Sequence, residues 1–426
     1  MKKITYLLGL LTWLISCESI NFDDPSTLTN EEAIQKIKSI GYVLTTSSIQ
    51  TTFRTTTSNA GGSHFSLWAD QSTNTNGSQS WWDFANEPRL RMNNNSAYRG
   101  NAAVREIYSN FYQANLDATK VIDIIENQGI TIYDDAGNDR TADCLIGAYY
   151  AKGVAQGYLG VIYDRGIIVD EVSLTTRDFP HSYKELVENG ISHLDKVLAL
   201  VEETPGVKFD FLNGITITRD ELTKLTHSMA ARILSSVARD KEEAEALGDS
   251  HWNKVLDYAT KGFTNDFMIP TVSGGYYNAL IDVLERPYGG ASYVPVDIKI
   301  PFLADKNNST PLTYPVDNTA ILPPIETDDQ RFYDYFTYTT NFGILLEARG
   351  RGLFSNYIRS RWMHPQRSTL NVEGAINPYF LAEELRLLRA EAKFWLKDYP
   401  AAAAELNASN ASRKAKGQLP NISASQ

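Results

Sequence analysis

The stretch YFLAEELRLLRAEAKFWLKDYPAAAAEL, from Tyr379 to Leu406, decides the fold of this chain. Apolar residues recur at helical spacing on both sides of a short break at Lys397-Asp398. We predict one helix from Tyr379 to Leu396 and a second from Tyr399 to Lys416. The run of alanines that opens the second helix permits the two helices to pack closely as a hairpin.

The same order of helix, short turn and helix recurs along the chain. Ser182 is the predicted N-cap of a helix that starts at Tyr183, and another helix is predicted from Thr218. A third, predicted over residues 143–163, carries several glycines that would let a neighbouring helix approach closely. Recurrent helical pairs are typical of a helical-hairpin repeat array. We predict helical repeats over residues 30–44, 102–127, 143–264 and 378–416.

Two further regions are predicted to be rich in loops. Residues 45–100 are dominated by Ser, Thr, Asn and Gly, which are typical of loops rather than helices. Residues 265–377 contain nine of the sixteen prolines, which disfavour regular helix and central strand. The aromatic content of the second region argues against disorder, so we predict a folded, loop-rich insertion.

The N-terminus has the pattern of a lipoprotein signal peptide. Lys2 and Lys3 precede an apolar run that is too short to span a bilayer, and the run ends in Leu-Ile-Ser-Cys at Cys17. We predict a signal peptide over residues 1–16, lipid attachment at Cys17 and one domain over residues 17–426. The lipid would be the sole membrane attachment.

Composition narrows the class of protein. With 426 residues and 42% apolar content, the chain can bury a sizeable core. The net charge of −11 argues against nucleic acid as a ligand, because phosphates require basic patches. Cys17 and Cys144 are the two cysteines, so lipid on Cys17 leaves no intramolecular disulfide.

Three motifs together resemble the SusD/RagB family of outer-membrane nutrient-binding lipoproteins of Bacteroidota. YSNFYQAN over residues 108–115 is similar to an aromatic-rich helix of that family, and AYY to VIYDR over residues 148–165 is similar to its alanine-rich helix. The helix over residues 379–392 resembles its Arg-Ala-Glu-Ala repeat helix, and residues 397–406 resemble a tetratricopeptide turn. The resemblance covers nearly the whole chain.

The resemblance implies both fold and function. It implies a mainly α, tetratricopeptide-like hairpin array with a long loop-rich insertion. It further implies a lipid-anchored, cell-surface protein that binds glycans without cleaving them, needs no cofactor, and delivers them to a SusC-like TonB-dependent transporter. Family members continue past the last helical pair seen here, so the resemblance also implies a C-terminally shortened chain.

Aromatic side chains in irregular sequence are the candidates for sugar binding, because flat rings stack on the apolar faces of sugars. Trp252 and Trp395 instead fall in amphipathic helices and are predicted core residues. In the family, binding residues lie largely in loops before the Tyr-rich helix and in the insertion. The candidate ligand-binding residues are Trp68, Trp81, Trp82, Arg89, Asn93, Tyr276, Tyr293 and Trp362.

The sequence leaves alternative functions open. The six histidines form no metal-binding pair, and Cys144 lies on an apolar helix where a nucleophile is not expected. A carboxylate pair for glycoside hydrolysis, such as one including Asp328 or Asp329, cannot be recognised from sequence. The alternatives are a peptide-binding SusD-like protein, a helical scaffold that binds only proteins, and a lipid-anchored glycoside hydrolase.

Overall fold

The fold is mainly α in a computed structural model of the chain. The residues that the structure describes are 30–57, 62–73, 81–85, 93, 95–98, 100–170, 180–270, 295–310, 321–340, 355–361, 376–408 and 417–425. The helices are α1 (Asn30–Thr57), α2 (Gly62–Trp68), α3 (Trp81–Phe84), α4 (Asn101–Ile122), α5 (Thr141–Ile162), α6 (Tyr183–Glu203), α7 (Arg219–Ser235), α8 (Lys241–Ala246), α9 (Gly248–Lys261), α10 (Lys299–Ala304), α11 (Gln330–Tyr335), α12 (Ala382–Trp395) and α13 (Tyr399–Ala408), and a π-helical turn (Asp123–Asn127) extends α4. The strands are β1 (Arg165–Gly166), β2 (His181–Ser182), β3 (Phe209–Leu212), β4 (Ile215–Ile217), β5 (Phe267–Pro270), β6 (Phe336–Tyr338), β7 (Tyr357–Arg359) and β8 (Ile376–Phe380). They form antiparallel pairs: β1–β2, β3–β4, β5–β8 and β6–β7.

The long helices pack as successive pairs, which confirms the predicted hairpin array. α1 packs on α4, α5 on α6, α7 on α9 and α12 on α13, and each pair contacts the next. One apolar core runs through all of these pairs. It includes Trp252, whose ring stacks on Trp395 with centroids 5.6 Å apart. The predicted core placement is confirmed for Trp252, whereas Trp395 is half-buried at the edge of the core.

Two helix starts are fixed by reciprocal capping. The Ser182 side chain accepts a hydrogen bond from the Glu185 backbone N–H, and the Glu185 carboxylate accepts one from the Ser182 backbone N–H at 2.7 Å. Thr218 and Glu221 repeat this arrangement at the start of α7. These capping boxes satisfy backbone donors that a helix leaves unpaired, and they confirm Ser182 as the predicted N-cap.

The helices α5 and α6 cross in close contact. Gly153 and Gly157 on α5 face Gly190 on α6, and a Cβ atom added at Gly190 would lie 2.6 Å from the Gly157 nitrogen and 2.7 Å from the Gly153 oxygen. The backbones therefore touch directly. This confirms that the glycines of this helix permit close approach of a neighbour.

The predicted loop boundary at residue 45 is wrong, because α1 continues to Thr57 through a run of serine and threonine. The hydroxyls of Thr45, Thr52 and Thr55 each donate to the carbonyl four residues earlier, at 2.7–2.9 Å. Bonded in this way, these polar side chains lie buried beside Ile49 and Phe53, which pack into the core. Gly41 follows an apolar helical pattern and could be read as its end, but it lies in the interior of the helix.

A second difference concerns the start of the C-terminal hairpin. Tyr379 and Phe380 belong to β8 rather than to the helix, because β8 pairs with β5 and places Phe380 opposite Phe267. The helix α12 begins at Ala382, whose backbone N–H donates to the Asp266 carboxylate at 2.9 Å. A pairing partner more than a hundred residues away thus overrides the local helical pattern.

Arg232 on α7 joins two neighbouring helical pairs. Its guanidinium makes a bidentate ion pair with Glu384 on α12, with N–O distances of 2.5 and 2.6 Å. The same group lies 3.6 Å from the centre of the Phe380 ring. The planar guanidinium of arginine can stack on a ring and bond both oxygens of a carboxylate at once, whereas the ammonium of lysine cannot do both.

We expect Arg232→Met to lower the free energy of unfolding by about 2 kcal/mol. Breaking a fully buried ion pair costs about 3–5 kcal/mol, but the Glu384 side chain is 33% exposed and recovers part of its hydration. Urea denaturation followed by circular dichroism measures the change. Lys224→Met is the matched control, because Lys224 pairs with Asp220 at the surface of the same helix and should change stability by less than about 0.5 kcal/mol. Equal losses in the two variants would contradict the expectation.

The described part of the insertion is folded around a small core of its own. Val296, Ile325, Phe332 and Tyr357 are buried together, and Phe332 meets Tyr357 edge to face at 4.9 Å. The Tyr357 hydroxyl accepts a hydrogen bond from the Ile325 backbone N–H at 2.8 Å. The insertion is thus anchored by aromatic packing, as its composition indicated.

Candidate functional site

The two loop-rich regions meet at a loop junction formed by residues 70–73 and residues 295–299. The Thr73 backbone N–H donates to the Pro295 carbonyl at 2.9 Å, and the Asp297 N–H donates to the Gln71 carbonyl at 3.3 Å. Ser72 and Val296 pair between these bonds as an isolated antiparallel bridge. Segments more than two hundred residues apart in sequence are therefore joined, with Gln71 exposed at the junction and Ser72, Thr73 and Val296 buried in it.

An ion pair reinforces the loop junction. Lys299 Nζ lies 3.0 Å from Asp70 Oδ2, and the Asp70 side chain is only 9% exposed. Asp70 also has a φ of +54°, a left-handed conformation that aspartate tolerates better than most residues. This turn directs the chain from α2 into the loop junction.

An aromatic cluster lies directly before the loop junction. Trp68 is half-buried and contacts Phe84 edge to face at 5.4 Å, with Phe65 and His64 each at 6.0 Å. His64 is almost fully buried, and this burial lowers its pKa to about 4, so the ring is neutral at pH 7. The cluster joins α2 and α3 into one packed unit.

The predicted site residues fall into three groups. Trp68 lies in the aromatic cluster, where part of its surface stays accessible. Asn93 is exposed, and its side-chain oxygen accepts a hydrogen bond from the Asn95 backbone N–H at 3.0 Å, so it shapes a turn before α4. Trp81 and Trp82 open α3, but their side chains lie outside the described part of the structure. The remaining predicted residues also lie outside the described ranges: Cys17, Arg89, Tyr276, Tyr293 and Trp362.

The structure places one described candidate side chain, that of Trp68, beside the loop junction. Trp68 lies two residues before Asp70, and α3 packs on α2 through Phe84. Pro295, which accepts the bond from Thr73, follows Tyr293 by two residues in the sequence. Asn93 has no described contact with the loop junction.

A stacked pair in the insertion has no signal in the sequence. The Arg361 guanidinium lies 4.4 Å from the centre of the Tyr335 ring, next in sequence to the candidate Trp362. Such stacking is favourable by about 0.5–1 kcal/mol at an exposed site. It holds a planar hydrogen-bond donor at the surface of the insertion.

A tightly held carboxylate orders another part of the insertion. Asp305 is buried and accepts hydrogen bonds from the backbone N–H groups of Asn307, Ser309 and Thr310 at 2.9–3.0 Å. Burial alone would raise the pKa of Asp305, but these bonds and those from the Ser309 and Thr310 hydroxyls lower it to about 2. Asp305 therefore shapes this turn as an anion at neutral pH.

The described residues hold neither a cluster of metal-ligating side chains nor a reactive cysteine. They contain no group of three or more His, Cys, Asp or Glu side chains that could hold a metal ion. Cys144 is fully buried, and this burial raises the pKa of its thiol to about 12, far above that of a reactive thiolate. Among the helices that the structure describes, none has the length and apolar character needed to cross a membrane.

Comparison with known proteins identifies the fold. No family model matches the sequence, and no curated protein is significantly similar to it. The structure is similar to that of a SusD homologue from Bacteroides thetaiotaomicron, with a TM-score of 0.55 and 13% identity over 93% of this chain and 81% of that one. SusD-superfamily proteins from Bacteroides vulgatus (TM-score 0.53, 12% identity, 90% and 80% covered) and Parabacteroides distasonis (TM-score 0.51, 12% identity, 94% and 83% covered) are also similar.

These similarities define the class of protein: a mainly α protein with the SusD-type fold. The resemblance to the SusD/RagB family is thereby confirmed at the level of the fold, across most of the chain. Because the sequences are only 12–13% identical, ligand and partner do not follow from the similarity.

Proposed function

We propose that this chain is a SusD/RagB-type lipoprotein that captures glycans at the loop junction. The observation that carries the proposal is the convergence of the two loop-rich regions, which brings the aromatic cluster beside the insertion. Trp68 is half-buried at the edge of the helical core, and Tyr357 belongs to the separate small core of the insertion. A SusD-type scaffold that presents aromatic loops suits capture of an extended ligand.

The chemistry of the loop junction favours a neutral sugar. The half-buried Trp68 ring supplies a flat apolar face, while the exposed Gln71 side chain and the Lys299 ammonium supply hydrogen bonds for hydroxyls. The net charge of −11 disfavours polyanionic ligands by long-range repulsion. Capture without cleavage is consistent with this set of groups, which relies on stacking and hydrogen bonding.

Anchorage and delivery complete the proposal. The N-terminal pattern that ends at Cys17 supports attachment to the outer membrane through lipid, with the soluble domain at the cell surface. A SusC-like TonB-dependent transporter is the proposed recipient of the glycan. This part of the proposal depends on the resemblance of the sequence and the fold.

A binding experiment tests the proposal. The full-length chain, purified in a detergent without a sugar headgroup, is run through gels that contain amylopectin, levan, xylan or mannan. We expect at least one polysaccharide to retard the protein in the gel. The double variant Trp81→Ala/Trp82→Ala should bind that polysaccharide at least tenfold more weakly, because each lost stacking contact removes about 1 kcal/mol of binding free energy. Tyr399→Ala is the matched control: Tyr399 is an exposed aromatic residue on the C-terminal hairpin, and its loss should not change binding.

Each other outcome selects another function. Oligosaccharide products released during incubation would show a glycoside hydrolase and contradict simple capture. No retardation by any polysaccharide, with the circular dichroism of a folded helical protein, would contradict glycan capture and favour peptide or protein ligands. Equal weakening by Tyr399→Ala would show that binding does not depend on the loop aromatics.

A further inference from the structure

A second concave site lies on the helical array, at the outer side of α1. It is an open cleft of about 380 Å³, within the range of about 300–1,000 Å³ that is usual for small-molecule sites. It shares no residue with the loop junction. The residues that line this α1 cleft are Tyr42, Val43, Thr46, Ser47, Gln50, Thr51, Arg54 and Asp135.

The helical repeat explains how α1 builds one wall. Tyr42, Thr46, Gln50 and Arg54 follow one another at intervals of four residues and form one row along the helix. Val43, Ser47 and Thr51 form a parallel row beside it. The wall therefore combines one aromatic ring, one aliphatic group, three hydroxyls, one amide and one guanidinium over three turns.

The aromatic ring in this wall is held in place from behind. The Arg140 guanidinium lies 5.2 Å from the centre of the Tyr42 ring, and the Phe211 ring lies 5.6 Å from it. Arg140 is in turn fixed by Asp143 at 2.6 Å and Asp210 at 2.5 Å. Little conformational entropy remains for Tyr42 to lose when a ligand binds.

Polar groups of the α1 cleft are also oriented. The Gln50 amide donates to the Phe211 carbonyl at 3.0 Å, and the Ser47 hydroxyl donates to Asp117 at 3.4 Å. The Thr46 hydroxyl oxygen is shielded from solvent and has no hydrogen-bond partner among the described residues. An unsatisfied buried hydroxyl costs about 1–3 kcal/mol, and rotation of the Thr46 side chain towards the cleft would let a polar ligand satisfy it.

We propose that the α1 cleft binds a small neutral polyhydroxylated ligand, such as one or two sugar rings. Tyr42 and the 59% exposed Val43 offer apolar surface to the C–H face of a sugar, and the hydroxyls and amide match its hydroxyl groups. Arg54 and Asp135 carry opposite charges, so the lining has no excess charge to select an ion. The site is independent of the proposed loop junction and would bind a short saccharide separately from a long glycan.

Methyl-detected NMR of the full-length chain, labelled at valine and threonine methyl groups, tests this inference. The probes are methyl α-glucoside, methyl β-galactoside and the methyl glycoside of N-acetylglucosamine, each titrated to about 50 mM. We expect at least one probe to shift the Val43, Thr46 and Thr51 resonances saturably, with a Kd of about 1–10 mM, as suits a few hydrogen bonds and one ring contact.

Two arginine substitutions on α1 locate the binding. Thr51→Arg places a long side chain in the α1 cleft and should weaken binding at least tenfold. Ser39→Arg is the matched control, because Ser39 is exposed on the same helix outside the α1 cleft and its replacement should leave the Kd unchanged. If Thr51→Arg does not fold, Val43→Arg serves instead, since Val43 is largely exposed.

Two results would overturn the inference. One is the absence of saturable shifts at Val43 with all three probes, and the other is unchanged affinity in the folded cleft-filling variant. Neither result bears on the loop junction, because polysaccharide retardation and its loss in Trp81→Ala/Trp82→Ala are measured separately. A chain that passes one test and fails the other therefore identifies which proposal is wrong.

Discussion

Gly190→Val is expected to abolish stable folding or to lower the free energy of unfolding by at least about 3 kcal/mol. Overpacking a well-packed core costs about 1–3 kcal/mol when side chains can move. Here the first added atom meets backbone of α5, at 2.6 Å from the Gly157 nitrogen, so one helix must shift as a whole. Urea denaturation monitored at 222 nm measures the loss, and soluble yield records a failure to fold.

Gly206→Val is the matched control for this substitution. Gly206 follows α6 closely, has no heavy atom within 4 Å of an added Cβ, and is exposed. We expect a change of less than about 1 kcal/mol at Gly206, mainly from local backbone preference. A Gly190→Val protein as stable as the Gly206→Val protein would show that α5 and α6 do not cross as closely as described.

Lowering the pH from 7 to 5 is expected to remove about 4 kcal/mol of stability through two buried histidines. Burial lowers the pKa of His64 to about 4, and burial together with nearby Lys152 lowers that of His193 to about 3. Both rings stay neutral in the folded chain at pH 5, whereas an unfolded histidine, with a pKa near 6.5, is protonated there. The unfolded state gains about 2 kcal/mol per histidine at that pH.

The sign of the effect follows from the lowered pKa values. Each histidine contributes its full share of stability above pH 6.5, and that share is lost as the pH falls from 6.5 towards the folded-state pKa. Denaturation midpoints at pH 7, 6 and 5 measure the trend, and NMR of the His193 ring shows whether it remains neutral. His193→Leu should reduce the dependence by about half. A wild-type midpoint that is constant between pH 7 and pH 5 would contradict the assignment.

Much of the helical array could be predicted because its signals are local. Apolar periodicity and a capping serine identified the helix that starts at Tyr183, and the glycines of α5 indicated a close neighbour. The position of Trp252 in an amphipathic helix likewise indicated a core position. Such features depend on neighbours within about one helical turn, which the sequence displays directly.

Other features depend on contacts that are distant in sequence. The second half of α1 reads as loop because serine and threonine usually favour turns, and only burial of Ile49 and Phe53 against other helices stabilises the helix there. Pairing of β5 with β8 and the bonds of Thr73 to Pro295 likewise have no local signal. The candidate loops could therefore be named from the sequence, but the meeting of those loops could not be derived.

The pairing of β5 with β8 also bears on how this protein can evolve. The insertion leaves the array at β5 and returns at β8, and the two strands are hydrogen-bonded to each other, so its ends are held together by the scaffold. Closing a flexible loop twice as long costs only about 0.6 kcal/mol more. Residues between these strands can be lengthened, shortened or exchanged with little effect on the helical core. Natural variation can therefore remodel the surface of the insertion while the array keeps its shape.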